Sequence, residues 1–156
     1  MLAGVSAAVI ALAGGAYAYW STTGGGSASS TIATDSGVSV AGDPADGLYP
    51  GGSVAVTSVI TNASSTAAQY VANLHVTISL DSAHAQAGCL ASWFTYKSDA
   101  EAAGSNSNPH STAVDTEIGA GATRSVAGHM FMADPNTNQD ACKGATANLA
   151  YAVNNS

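Results

Sequence analysis

Apolar and polar residues alternate most clearly between Tyr70 and Leu80. Every second residue of this stretch is apolar, and most of the residues between them are polar. The apolar row consists of Tyr70, Ala72, Leu74, Val76, Ile78 and Leu80. A period of two sustained over such a length is typical of an antiparallel β-strand with one buried face. We therefore predict a strand here, with the apolar row in the core and His75 on the outer face.

Weaker alternation predicts further strands on both sides of this one. Their predicted ranges are 31–40, 53–62, 90–97, 113–118, 123–132 and 145–154. Stretches rich in Gly, Pro, Asn and Ser separate them, as turns do. No helical period follows Trp20. The pattern predicts an all-β fold, an antiparallel β-sandwich of Ig-like or jelly-roll-like type.

The first twenty residues follow a different pattern, because they are apolar on every side of a helix and carry no charged or amide side chain. The large aliphatic residues of this stretch include Val5, Val9, Ile10 and Leu12. Such a helix cannot lie on a soluble surface, and at roughly 30 Å it would match the hydrocarbon core of a bilayer. We therefore predict an N-terminal apolar helix over residues 1–20.

Three fates of this helix stay open. It is removed as a signal, retained in the core of a filament, or kept as a membrane anchor. The sequence Ala16-Tyr17-Ala18 fits a signal-peptidase site, although no basic residue precedes the apolar run. Residues 21–30 have the Gly, Ser and Thr composition of a flexible linker. The predicted organisation is thus a helix over 1–20, a linker over 21–30 and a sandwich domain over 31–156.

Charge limits the possible partners. Only 8% of the residues are charged, and three Lys and Arg residues stand against ten Asp and Glu, for a net charge of -7. A chain this acidic, with its few cations scattered, is unsuited to binding a phosphate backbone. It also lacks a basic patch for anionic lipid. We expect no nucleic-acid partner, and contact with a membrane only during export or through a transient anchor.

The chain contains two cysteines, Cys89 and Cys142. In an exported protein an even count is typical of disulfide bonding, and neither residue has a CxxC neighbour. We predict that the two form one disulfide and that the protein is extracellular or on the cell surface. The alternative is a pair of unrelated buried thiols.

Candidate chemistry is sparse. The sequence has no GxSxG elbow and no HExxH or paired-cysteine metal motif, so we expect neither an enzyme nor a cofactor. We expect His75, His84, His110 and His129 on the surface, with His84 and His110 in loops. One loop places oxygen donors at alternate positions, as calcium loops do. These residues, a weak calcium candidate, are Asp134, Asn136, Asn138 and Asp140.

Four stretches carry a resemblance to known proteins: AYAYWSTTGGGSAS, LYPGGSVAVTSVITNAS, CLASWF and MADPNTNQDACKGA. They resemble small secreted β-sandwich proteins of actinomycete type, which in turn look like distant relatives of the TasA/camelysin class of surface-fibre proteins. The resemblance implies an extracellular, fibre-forming and non-catalytic module. The chain departs from it in lacking a basic start, and no motif transfers the protease activity sometimes credited to camelysin-like proteins.

Two functions from different classes follow. In the first, the protein is a structural subunit of a filament built from copies of itself. Assembly would use the apolar helix, strand exchange by the weakly alternating segment with Ile32, Val38 and Val40, or both. Alternatively that segment is simply the first strand of its own sandwich. In the second function, the protein is a monomeric secreted or anchored binding module.

Overall fold

The computed structural model of the chain describes residues 28–30, 37–42 and 47–155, the first three by their backbone alone. The predicted apolar helix lies outside these residues. Eight strands are described. They are β1 (Ala28–Ser30), β2 (Val38–Gly42), β3 (Ser53–Asn62), β4 (Gln69–Leu80), β5 (Phe94–Ser98), β6 (His110–Ile118), β7 (Thr123–Met132) and β8 (Ala147–Asn154).

The strands form two antiparallel sheets, which confirms the all-β prediction. One sheet has five strands in the order β1-β2-β3-β7-β5, and the other has three in the order β6-β4-β8. Buried side chains of both sheets share one core, as the alternating pattern requires. The most deeply buried large side chains include Val56 and Ile60 of β3, Leu74 of β4, Tyr96 of β5 and Tyr151 of β8.

The predicted ranges of β3 and β7 match the structure, and β4 begins one residue earlier than predicted. β6 begins three residues before its predicted start. Of the predicted strand over 31–40, residues 38–40 belong to β2, whereas Ile32 lies outside the described residues. β1 occupies the end of the stretch predicted as linker. The division into helix, linker and domain stays a prediction.

The prediction that Tyr70 faces the core is wrong, because its side chain is 47% exposed. β4 and β6 change register between Val71 and Asn73, where two residues of β6, Val114 and Asp115, oppose one residue of β4. Asp115 has a φ of 42° in this β-bulge. Because the bulge shifts the faces of the sheet, Val71 is buried and Tyr70 is turned outward, where its hydroxyl donates to Asp115.

The sequence shows no helical period after Trp20, yet the structure contains short helical segments in this part of the chain. A short helix, α1, spans Ser82–Gln86, and single 3-10 turns span Ala91–Trp93 and Asp140–Cys142. α1 is too short for a hydrophobic period to be visible in the sequence. Asp81 caps it by accepting a hydrogen bond from the His84 amide, so His84 lies in a helix rather than in a loop.

The disulfide prediction is confirmed: Cys89 and Cys142 are bonded, and both are buried. The bond joins the segment after α1 to the turn before β8. The Asp81 carboxylate joins the same two regions, since it accepts hydrogen bonds from the Thr146 amide and from His84. Two independent links therefore close this end of the fold.

Candidate functional site

The two strands at one side of the five-stranded sheet differ in length. β5 has five residues and β7 has ten, and their ladder pairs 94–98 with 128–132. The first half of β7, residues 123–127, is paired with β3 on its other side. In the described part of the chain no strand flanks these residues on the β5 side, so the sheet has a half-open edge there.

The hydrogen-bond pattern shows which backbone groups face this edge. Asp99 donates its amide to the Ala127 carbonyl at 3.0 Å, and Ala133 donates its amide to the Trp93 carbonyl at 2.8 Å. Odd-numbered residues of β7 therefore point their backbone groups toward β5. Since alternate residues of an antiparallel strand point to the same side, the N–H and C=O groups of Ser125 and Thr123 face the open edge.

A groove of about 230 Å³ lies beside these groups. Its walls come from both sheets, with Thr112 and Val114 on β6 and Arg124 and Val126 on β7. Val114 and Val126 are partly buried and pack against the core, so they give the groove an apolar floor. Arg124 is exposed and supplies a positive charge beside it. An extended chain added along β7 would direct alternate side chains into this groove.

The base of the open edge is held firmly by Asn62. Its fully buried amide nitrogen donates to the carbonyls of Ile118 and Gly119 in the β6–β7 turn and to that of Ala67. Its side-chain oxygen accepts from the Ser64 amide. Because one side chain ties the turn before β7 to the turn after β3, the free half of β7 starts from a fixed position.

A second polar network ends β5 at the other end of the groove. One Glu101 carboxylate oxygen accepts hydrogen bonds from the Ser98 amide and hydroxyl, both at 3.0 Å, and contacts His110 Nε2 at 2.7 Å. The Ser98 hydroxyl also lies 2.7 Å from that of Thr112 on β6. Burial opposes ionisation of Glu101, but the bonds from His110 and Ser98 outweigh it, so the pKa of this carboxyl is lowered.

His110 is not the surface-loop histidine expected from the sequence, because it is the first residue of β6 and only 5% exposed. His110 lies between two polar side chains. Its Nδ1 is 2.9 Å from the Ser107 hydroxyl, and its Nε2 is 2.7 Å from the Glu101 carboxylate. This order resembles a catalytic triad. However, the Ser107 hydroxyl donates to the Pro109 carbonyl, and neither Ser107 nor His110 lines the groove. We interpret the arrangement as support for the turn after β5.

The remaining sheet edges differ from the half-open edge of β7. β6 carries the bulge at Val114 and Asp115, and a bulge disrupts a regular row of edge hydrogen bonds. β8 packs against β1 and β2 of the other sheet. The far edge of the five-stranded sheet is β1, which pairs with β2 only. On the outer edge of β5, Tyr96 pairs with Ser107. The open half of β7 is an unbulged edge beside a groove.

The residues predicted for assembly fall into two groups. Val38 and Val40 are buried in β2, opposite Asn62 and Ile60 of β3, so this part of the segment forms a strand of its own sandwich. The other predicted assembly residues lie outside the described residues. They are Val5, Val9, Ile10, Leu12 and Ile32.

Two side chains of the candidate calcium loop bond to groups close to them in the sequence. Asn138 accepts a hydrogen bond from the Asp140 amide, and Asp140 pairs with Lys143. The Asp140 pKa is lowered, chiefly by its hydrogen bond with Lys143. Across the described ranges no group of three or more His, Cys, Asp or Glu side chains could hold a metal ion.

Neither the half-open edge of β7 nor the groove residues Val114, Arg124 and Val126 are predicted from the sequence. The predicted strand lengths already suggest an incomplete pairing, since the strand over 123–132 is longer than the strand over 90–97 that becomes its partner. Which strands pair, and in which register, is set by long-range contacts that alternation alone does not contain.

Comparison with protein-family models, with curated proteins and with solved structures finds no match. None of the helices in the described residues is long and apolar enough to cross a membrane. Fold and site together define an all-β, disulfide-bonded domain with one half-open sheet edge.

Proposed function

We propose that this protein is a structural subunit of an extracellular filament, in which copies associate through the open edge of β7, through the N-terminal apolar helix, or through both. The observation that carries the proposal is the half of β7 that, among the described strands, pairs on one side only and lies beside an apolar groove. Backbone groups at a straight edge accept an added strand, and flanking pockets select its side chains.

The positions of the edges favour an open-ended assembly. β1 and β2 lie at one side of the five-stranded sheet, and the free half of β7 lies at the other. If the β1–β2 side of one copy pairs with the free half of β7 in the next copy, the contact joins two different surfaces. Such contacts leave each new copy with an unused edge, so they build filaments rather than closed dimers.

The occupant proposed for the groove is the segment before Val38 of a second copy, which connects β1 to β2 and would enter the groove after β1 has separated from its own sheet. Ile32 is the one large aliphatic residue between Trp20 and Val38, and its neighbours are Thr and Ala. One aliphatic side chain suits the apolar floor formed by Val114 and Val126. The segment also carries Asp35 and no cation, which complements the charge of Arg124.

Other features belong to the same proposal. The disulfide is typical of proteins outside the cytoplasm, and the low surface charge leaves few charges to desolvate when copies pack together. The proposal also includes four expectations from the sequence. They are a relationship to the TasA/camelysin class, an Ig-like or jelly-roll-like fold type, a cell-surface location and the absence of catalysis. The second candidate is a monomeric binding module whose β7 edge takes an extended peptide from another protein.

The test uses the full chain with its N-terminus intact, studied over a range of concentrations by light scattering and negative-stain microscopy. We expect concentration-dependent open-ended assemblies. Ser125→Pro, which removes an amide at the open edge, should reduce them, whereas Ser125→Ala keeps that amide and should not. A chain that stays monomeric throughout contradicts the filament proposal. Binding of a foreign extended peptide by such a monomer favours the second candidate.

A further inference from the structure

We infer that Glu101 keeps the β7 edge open, by holding the chain after β5 in a turn that prevents β5 from filling its own groove. The inference concerns how the proposed assembly site is maintained, and it rests on the proposed function only for its consequence in assembly. The half-open edge, as the described strands define it, does not depend on that proposal.

The register shows that the chain contains its own candidate for the missing half-strand. β5 pairs residues 94–98 with 132–128 of β7. If β5 continued in this register, residues 99–103 would lie opposite 127–123 and would cover the whole free half. The first hydrogen bond of such a continuation already exists, from the Asp99 amide to the Ala127 carbonyl. No Pro or Gly lies in residues 99–103 to prevent it.

The continuation stops because the chain turns back on itself, and Ser107 pairs with Tyr96 on the outer side of β5. A continued β5 would have to break this pair as well, because residue 103 would then lie too far along β7 for Ser107 to reach Tyr96. The Glu101 amide donates to the Ser98 carbonyl, and the Glu101 carboxylate accepts the Ser98 amide and hydroxyl. The Lys97 ammonium donates to the carbonyls of Ser98 and Glu101. These contacts bind both termini of the turn to one another, and the carboxylate and the Lys97 ammonium each supply two of the side-chain bonds.

The turn is also anchored to the opposite sheet. His110, on β6, lies 2.7 Å from the Glu101 carboxylate, so the turn is tied to the strand that forms the other groove wall. The charged or titratable groups that face Glu101 are His110 on β6 and Tyr96 and Lys97 on β5. Removing the Glu101 carboxylate would release the turn from His110 on β6 and remove two of its bonds to Ser98 on β5, leaving the Lys97 bonds to the backbone of the turn.

The experiment measures hydrogen exchange of the Ser125 and Thr123 amides in the full chain, with Glu101→Ala as the variant. In the wild-type monomer these amides face the open edge and should exchange rapidly. In the variant, residues 99–103 should pair with β7, and exchange of both amides should slow at least about tenfold. Assembly of the variant should fall in parallel, because the edge is then occupied.

Glu117→Ala is the matched control, since Glu117 is the other glutamate of the chain and is exposed on β6. It should leave the exchange of both amides unchanged. If Glu101→Ala retains the fold and its Ser125 amide still exchanges at the wild-type rate, the inference is wrong. That result would leave the filament proposal standing, because concentration-dependent assembly is measured separately.

Acidification of the wild-type chain provides a second test that needs no variant. Because the pKa of Glu101 is lowered below its ordinary 4.5, the carboxylate holds the turn above that pH and releases it as the pH falls through the lowered value. The protection of the Ser125 amide, corrected for intrinsic exchange, should then rise. Protection that stays constant through this transition contradicts the role given to Glu101.

Discussion

The end of the domain that contains α1 and the edge along β7 differ in how the chain closes them. At the end that contains α1, the Cys89–Cys142 bond and the Asp81 carboxylate both join the chain after β4 to the chain before β8. Along β7, the ladder with β5 stops halfway, and no other strand in the described part of the chain lies beside the outward groups of Ser125 and Thr123. One end is closed by covalent and polar links, whereas the edge is left open.

The comparison shows that the open edge is not a loosely built part of the fold. Asn62 fixes the turn before β7, Glu101 fixes the turn after β5, and Val126 packs on the core. Polar groups inside the domain are used to position the edge, while the outward backbone groups remain available. An unpaired edge on a rigid frame is suited to accepting a strand, because little order has to be gained on binding.

The largest loss of stability is expected at the end of the domain that contains α1 and the disulfide. Replacing Cys89 and Cys142 together with Ala should lower the free energy of unfolding by about 4 kcal/mol, because the bond joins residues 53 positions apart. Denaturant unfolding of the wild-type chain with and without reductant measures the same quantity. An unchanged unfolding midpoint in both cases would mean that the Asp81 links alone close this end.

A slightly smaller loss of stability is expected at the base of the open edge, where Asn62 lies. Asn62→Ala leaves the Ile118 and Gly119 carbonyls without their buried donor and should cost about 3 kcal/mol. Asn148→Ala, at an exposed position of β8, is the control and should cost little. Equal unfolding midpoints for the two variants would show that the edge is not held by Asn62.

Gly42 of β2 sharpens the comparison on the other side of the sheet. A β-carbon at this position would overlap the Tyr151 ring of β8, so Gly42→Ala should destabilise the domain by about 2 kcal/mol. In Gly119→Ala the new atom would meet Ala122 at an ordinary 3.9 Å. Thermal unfolding should separate the two variants, and similar stabilities would mean that β2 shifts freely away from β8.

The smallest of these losses should follow from Asp81→Ala, at about 1 kcal/mol, since it removes the cap of α1. Hydrogen bonds from the Thr146 amide and from His84 lower the pKa of Asp81 to about 2. The carboxylate therefore stabilises the fold above its ordinary pKa of 3.8, and this contribution is lost as the pH falls through about 2.

A pH series of denaturant unfolding tests this sign. The stability difference between Asp81→Ala and the wild type should be constant near neutral pH and should shrink below pH 3.8. Asp134→Ala, at an exposed position, serves as the control. A difference that grows toward acid would contradict the assignment of the stabilising form to the carboxylate.

The sequence predicted local features well and long-range ones poorly. Alternation placed β3 and β7 correctly, and a count of two cysteines left one possible disulfide. The outward turn of Tyr70 depends on a bulge in another strand, and the burial of His110 depends on Glu101. The open edge depends on which strand pairs with β7 and where that pairing stops. None of these can be read from the spacing of apolar residues in one segment.

The most direct test of the central claim is hydrogen exchange at the Ser125 and Thr123 amides, compared between the monomeric and the assembled full chain. Strand addition at the open edge predicts rapid exchange of both amides in the monomer and strong protection in the assembly. If the chain assembles while both amides keep the exchange rate of the monomer, β7 is not the site at which copies join.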